Sequence, residues 1–353
     1  MNLVDLDYVS VKVKAKGGSK IVQFNKVVVV GLGQLGLPVA KYVKERGFDT
    51  YGYDISMEAM ERALNIAGIK KAENFSDFDV FILCVSTHKP EDMFSPQVEG
   101  ILSMVEKISK EANKDGALVA IESTIPKGTS RKVLKLLTHR FHVVHAPHRW
   151  YALEEKEHGV NQLRVIGGVS NCCLRAGLQF YSGDDCNARV ERQDSSHSSL
   201  LSQSYLVRSL GISMHPVSNT DTAEITKITE NAHRYLQIAF AEDLYLYCQA
   251  NNISFSELRD ALNTKWNVNI LEPREGIGGH CLPKDTRMFL QSSQSSKKYK
   301  SKILAAAVEV DQDYRRCRNI RGTSFQQNII EQSNNNIQDL RRGDLTSVIR
   351  HAV

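Results

Sequence analysis

Val27-Val28-Val29-Val30-Gly31-Leu32-Gly33-Gln34-Leu35-Gly36 is the stretch that decides how this chain folds. Four consecutive valines after Lys26 predict a strand buried on both faces, as in a parallel sheet. The strand runs directly into a G-x-G-x-x-G turn, and residues from about Leu35 to Arg46 then read as a helix. Gly31 permits the tight turn, Gly33 lets the backbone approach a pyrophosphate, and Gly36 allows close packing of helix on strand. A second strand, Thr50 to Tyr53, ends at Asp54, 23 residues beyond Gly31. An acid there binds the ribose hydroxyls of NAD and disfavours the extra phosphate of NADP. The expected cofactor is NAD, held by Gly31, Gly33, Gly36 and Asp54.

Working outward, the alternation of strand and helix continues. Strands are predicted at Val80 to Val85, Leu118 to Ile121 and around His142 to Val144. They end in Ser86-Thr87, Glu122-Ser123-Thr124-Ile125-Pro126 and His145-Ala146-Pro147-His148. In an open parallel sheet the ligand crevice lies beyond the carboxyl ends of the strands, so Thr87 and Thr124 are candidate contacts, although either also reads as a helix cap. Beyond Gly168 the periodicity lapses, and residues 182–208 read as an inserted polar loop. Order returns at Gly211 to Val217. A helix start follows at Asp221, with Glu224 three residues on as an acidic variant of the capping box.

Apolar residues at Ile228, Ala232, Tyr235, Ala239, Leu244 and Tyr247 predict one long amphipathic helix from Ala223 to Ala250. Its length suits a link between two domains and a homodimer interface across residues 221–250. Lys227 and Asn231 lie four apart on another face. They read either as an ordinary solvated edge or as a cation and an amide that hold an oxygen gaining negative charge. Further on, Gly276-Ile277-Gly278-Gly279-His280-Cys281-Leu282-Pro283-Lys284-Asp285 predicts a sharp bend that leaves the Cys281 thiol accessible, outside any helix. Lys284 and a protonated His280 are expected to lower the thiol pKa, with Asp285 placed to orient water or a proton.

The chain has 353 residues, 42% of them hydrophobic, enough for two or three domains with a substantial core. Its longest apolar run, Val27 to Ala40, is shorter than the roughly 20 residues that span a bilayer, so no membrane partner is expected. Residues 1–25 read as an extension without the apolar core of a signal peptide, which points to the cytoplasm. The 7 cysteines show neither metal-ligand spacing nor a disulfide framework. His139, His142, His145 and His148 recur every third residue, which alternates their faces along a strand, so no metal centre is expected. A net charge of +5 is spread along the chain without a basic aromatic cluster, which argues against nucleic acid.

Together these residues resemble the UDP-glucose/GDP-mannose dehydrogenase family, the nucleotide-sugar 6-dehydrogenases. The resemblance rests on six stretches in the family's order. They are the Gly31-x-Gly33-x-x-Gly36-x-Pro38 loop, Cys84-Val85-Ser86-Thr87, Glu122-Ser123-Thr124-Ile125-Pro126, Arg164-Val165-Ile166-Gly167-Gly168, Ala223-Glu224 with Lys227 and Asn231, and Gly278-Gly279-His280-Cys281 with Lys284-Asp285. It implies an α/β fold: an N-terminal Rossmann-type doubly wound parallel sheet over residues 26–218, then a mainly α-helical central domain over 219–317. Residues 318–353 read as a polar tail where the family continues into a UDP-binding domain.

The implied reaction is a four-electron oxidation of the C6 hydroxyl of a UDP-sugar to the uronate, with Cys281 holding a thiohemiacetal and then a thioester. By the resemblance Lys227 and Asn231 stabilise the C6 oxyanion and position water, and Asp285 assists proton transfer. Thr87, Glu122 and Thr124 lie along the nicotinamide and the attacking water, and Lys284 belongs with the cofactor-binding set. His280 is similar to the N-acetylmannosamine and N-acetylglucosamine branch, whereas Leu282-Pro283-Lys284-Asp285 is similar to the UDP-glucose branch. The family's usual carboxylate after Pro147 is replaced by His148, leaving His148, Glu154 or Glu155 for the role of base. Two other readings stand beside this one: a two-electron hydroxyacid dehydrogenase, and a non-catalytic paralogue that binds NAD and dimerises.

Overall fold

The computed structural model describes residues 23–88, 96–149, 159–183, 208–294 and 299–318. The N-terminal extension, nearly all of the 182–208 loop, the 319–353 tail, Glu154 and Glu155 lie outside these ranges. Eight strands form one sheet: β1 (Lys26–Val30), β2 (Asp49–Tyr53), β3 (Lys70–Lys71), β4 (Val80–Leu83), β5 (Leu118–Ile121), β6 (His142–His145), β7 (Arg164–Gly168) and β8 (Met214–Val217). Their order is β3-β2-β1-β4-β5-β6-β7-β8. Every neighbouring pair is parallel except β6 and β7, which run antiparallel with Val144 opposite Gly168. The expected doubly wound sheet is therefore present, extended by two strands, β7 and β8, that run opposite to the rest.

Helices α1 (Gly36–Glu45), α2 (Met57–Ala67), α3 (Glu99–Glu111), α4 (Thr129–Leu137) and α5 (Asn171–Tyr181) accompany the strands. Alternate residues of each central strand feed two separate cores, one around Val27, Val29, Val39 and Ile82, the other around Val28, Val30, Phe81 and Ile121. Because both faces are covered, these strands are apolar throughout. The order reverses at β1, between β2 and β4, and the glycine turn leaves the sheet there. Gly31 adopts φ +88°, and a Cβ on it would lie 2.7 Å from the carbonyl oxygen of Cys84. Only glycine lets the turn run this close to the end of β4.

The helical part consists of α6 (Thr220–Asn251), α7 (Phe255–Asn263), α8 (Cys281–Gln294) and α9 (Lys302–Cys317). α8 and α9 pack on the 32-residue α6 around Tyr235, Ala239, Ile277, Leu290 and Val308. The start of α6 differs from its reading in the sequence. Its N-cap is Asn219, whose side chain accepts from the N–H of Thr222 at 2.9 Å. With that local cap supplied, Glu224 does not fold back on its own helix. Its buried carboxylate accepts from the N–H of Gly128 (2.5 Å), the N–H of Ser130 (2.8 Å) and the hydroxyl of Ser130 (2.7 Å). It thus caps α4, where the helix dipole favours a negative charge, and fastens the helical part to the sheet. No described helix is long and apolar enough to cross a membrane.

A second buried acid sits within the helical part. Asp311 of α9 accepts from the N–H of Ile277 (2.9 Å), from Arg315 Nε (3.1 Å) and from the Tyr235 hydroxyl (3.2 Å). Burial, then the Asp311 charge, pushes the neighbouring Glu242 up to about 9. An unfolded glutamate titrates near 4.3, roughly. The native state therefore keeps a proton that the unfolded state loses, and stability falls as pH rises towards 9. Between pH 7 and 9, where unfolded histidines are already largely neutral, thermal unfolding should show this fall, and Glu242→Gln should flatten it. An unchanged slope in Glu242→Gln would rule out this proton as its cause.

Candidate active site

Cys281 opens α8 instead of lying in a free bend. Pro283 is the third residue of the helix, where a missing N–H breaks no intrahelical bond, so the Gly-Pro-rich stretch starts a helix. The cysteine remains exposed, as expected. Below it the side chains are committed to one another. Lys284 is buried and donates to Asp285 Oδ1 at 2.5 Å, and Asn231 of α6 donates to Asp285 Oδ2 at 2.5 Å. Lys284 therefore sits beside the thiol, paired with Asp285. Lys227, one turn before Asn231, is half-buried and has no ion pair or hydrogen bond among the described residues; its charge acts on both Cys281 and His148.

The expected electrostatics of the thiol are reversed. Enclosure, then the Asp285 carboxylate, pushes the Cys281 thiol up, against the opposing pull of Lys284 and Lys227. His280 is also shifted opposite to expectation. Burial, then the charge of Lys284, lowers its pKa, so the imidazole is neutral at pH 7. Its Nε2 lies 3.4 Å from Cys281 Sγ. A neutral His280 can accept the thiol proton in the tautomer that leaves Nε2 bare, and it is not a cation that stabilises a standing thiolate. His88, which sequence reading passed over, stacks beside it with ring centroids 5.0 Å apart, and His88 Nδ1 is 3.2 Å from the Ser86 hydroxyl. The tip of β4 and the start of α8 therefore meet at the thiol.

Thr87 and Thr124 lie just beyond the carboxyl ends of β4 and β5, as expected; Thr87 is buried and Thr124 half-buried. Glu122 is different. It is fully buried, ion-paired to Arg164 at 2.9 Å, and accepts from the Tyr181 hydroxyl at 2.6 Å. Glu122 thus braces the crevice from inside. His148 Nε2 lies 3.7 Å from the other Glu122 oxygen, and burial, then Arg164 and Lys227, lowers its pKa well below the usual histidine range. His148 is thus a neutral group between Glu122 and Lys227. An arginine at the head of an otherwise apolar strand was the available signal for this buried pair.

The glycine turn fits a dinucleotide. No atom lies within 4 Å of a Cβ built on Gly33, so the backbone is open to a pyrophosphate. The Asp54 carboxylate is oriented by the N–H of Leu32 (2.7 Å) and of Ser56 (2.9 Å), with lone pairs left for ribose hydroxyls. A cleft of about 430 Å³ beside the turn is lined by Gly33, Gln34, Lys41 and Arg62. The larger cleft, about 690 Å³, runs along Thr222, Thr226, Glu230 and His233, on a face of α6 away from Lys227 and Asn231. It is open, and no nucleophile is among its lining residues.

A switch-point glycine turn joined to a helical part that presents lysine, asparagine, aspartate and an exposed thiol defines a dinucleotide-dependent dehydrogenase class. The chain belongs to the UDP-glucose/GDP-mannose dehydrogenase family: the family's NAD binding domain matches residues 58–183 and its central domain residues 221–313. Its cofactor is NAD. It is similar to a UDP-N-acetyl-D-mannosamine dehydrogenase of Pyrococcus horikoshii, 28% identical over 76% of this chain and 65% of that protein. It is also similar to one of Campylobacter jejuni, 29% identical over 82% of this chain and 72% of the relative. The solved Pyrococcus horikoshii structure superposes with a TM-score of 0.62 over 82% of this chain and 68% of that one. The chain thus spans about two thirds of the length of these relatives.

Proposed function

We propose that this chain oxidises the C6 hydroxyl of a UDP-N-acetylhexosamine, UDP-N-acetylmannosamine foremost, to the uronate through a covalent adduct on Cys281. The observation that carries this reading is the convergence of Cys281, His280, Asp285, Asn231 and the uncommitted Lys227 where α8 meets α6. NAD supplies the hydride acceptor, one molecule for the alcohol and a fresh one for the thiohemiacetal. Lys227 holds the C6 oxygen as it becomes anionic, helped by the second N–H of Asn231. Once the alcohol is an aldehyde, Cys281 Sγ bonds to C6 and its proton passes to His280 Nε2. The thiohemiacetal keeps the half-oxidised sugar in place for the second oxidation, which leaves a thioester. Water, oriented by Asp285, then breaks the S–C bond, releasing the carboxylate and returning the thiol.

His148 takes the place of a carboxylate base and draws the alcohol proton during the first oxidation. His148→Ala is expected to lower turnover about a hundredfold with NAD affinity nearly unchanged. Equal losses in both would remove that role. A homodimer across residues 221–250 is supported by exposed Phe240 and Tyr247 on α6; a sedimentation velocity experiment reporting a monomer at micromolar concentration would remove it. The deciding test of the reaction is NADH formed per sugar with UDP-N-acetylmannosamine, UDP-N-acetylglucosamine and UDP-glucose in turn. Two NADH per sugar, dependent on Cys281, is expected. One NADH without need of the thiol would indicate a two-electron dehydrogenase, and none with NAD still bound would indicate a binding protein.

A further inference from the structure

His139, His142, His145 and His148 alternate faces along one segment, whereas the tertiary fold brings a different set of ligand atoms together. His142 opens β6, while Cys172 and Cys173 lie in the first turn of α5, 30 residues on; one ligand atom from each lies within 4.8 Å of the others. β7 runs antiparallel to β6, so its end, and the α5 start that follows, return to the N-terminal edge of the sheet. That edge is opposite the crevice, and the proposed reaction uses none of these residues.

We propose that His142, Cys172 and Cys173 form a binding site for a soft divalent metal, zinc by preference, that straps β6 to α5. One imidazole nitrogen and two thiolates are a ligand set suited to zinc, with a fourth position left to water. Tetrahedral ligands about zinc stand roughly 3.3–3.8 Å apart, from bond lengths of about 2.0–2.3 Å, so small side-chain rotations close the present set. Binding displaces two protons: M²⁺ plus two thiols gives the dithiolate complex and 2 H⁺.

Local hydrogen bonds already orient both sulfurs. Both sulfurs sit at the positive end of the α5 dipole. The Ser170 hydroxyl is 3.1 Å from Cys172 Sγ and 3.0 Å from Cys173 Sγ, and the Val143 backbone also bonds Cys173. Such outer bonds orient metal-bound thiolates. His142 is half-buried, with a ring nitrogen among the three clustered ligand atoms. Arg175 is exposed and faces a site whose two thiolates balance the metal's charge.

The test is a cobalt(II) titration of the full chain, reduced and freed of metal. One equivalent should produce thiolate-to-cobalt charge-transfer absorption with tetrahedral ligand-field bands, and zinc should displace it. Cys281→Ala should retain the spectrum, which separates this site from His280 and the reactive thiol. The Cys172→Ser/Cys173→Ser pair should abolish the spectrum while still binding NAD, and His142→Asn should weaken cobalt about tenfold or more. Should the double serine variant misfold, His142→Asn alone decides, its NAD binding serving as the check of fold. Absence of a thiolate band in the wild-type chain, retention of the spectrum in His142→Asn, or its loss in Cys281→Ala would each overturn the proposal.

Discussion

Cys281→Ala is expected to lower uronate formation by at least about three orders of magnitude, some 4 kcal/mol of barrier, while NAD binds as before. The two effects separate because the thiol belongs to α8 and the dinucleotide turn to the end of β1. Cys281→Ser sharpens the test. A hydroxyl at this position can add to an aldehyde, but it is a weaker nucleophile and, as an ester, a worse acyl group for hydrolysis. The serine variant should therefore consume NAD once, slowly, and release little acid. Because enclosure and Asp285 hold the thiol up, alkylation of Cys281 should accelerate with pH through and beyond neutrality. His280→Ala should slow that alkylation at pH 7 and converge with wild type in alkali, where no proton acceptor is needed. Full uronate production by Cys281→Ala would end the covalent route altogether.

Arg164→Ala should destabilise the fold by about 3–5 kcal/mol, read as a shift of the urea midpoint. Arg164 is 0% exposed at the head of β7. It pairs with Glu122 at 2.9 Å, donates through Nη2 to the Val160 carbonyl at 2.6 Å, and lies over the Tyr181 ring with its guanidinium carbon 5.8 Å from the centroid. Removing it strands the Glu122 carboxylate in the interior with one hydroxyl donor. The loss arises mainly from that stranded charge, since buried pairs are themselves close to neutral in net stability. Arg164→Met combined with Glu122→Gln should therefore lose markedly less than Arg164→Ala. His148 should also titrate nearer the usual histidine value without the guanidinium. A loss below about 1 kcal/mol for Arg164→Ala would mean the pair is hydrated, against its burial.

Much of the fold was legible because local sterics write it into short stretches. The valine run from Val27 to Val30 has one sensible environment, and Gly31 with Asp54 marks the β1 turn and the β2 tip at the spacing a dinucleotide needs. Local rules give way where a distant partner competes. Glu224 has the spacing of a capping box, yet it caps α4 from 94 residues away, because Asn219 already serves its own helix. The Gly-Gly-His-Cys-Leu-Pro run has turn composition, yet proline costs nothing in a first helical turn, and α8 begins at Cys281.

Periodicity, turn chemistry and motif order, which depend on neighbours a few residues apart, were determined by the sequence itself: the sheet, the long helix and the NAD turn. The protonation of that set was decided only by tertiary structure, because a pKa depends on burial and on charges within a few ångströms. The thiol of Cys281 is raised and His280 neutral because Lys284, Asp285 and Lys227 converge on them in space. The same holds for Glu122 with Arg164 and for His142 with Cys172 and Cys173, which no spacing along the chain brings together.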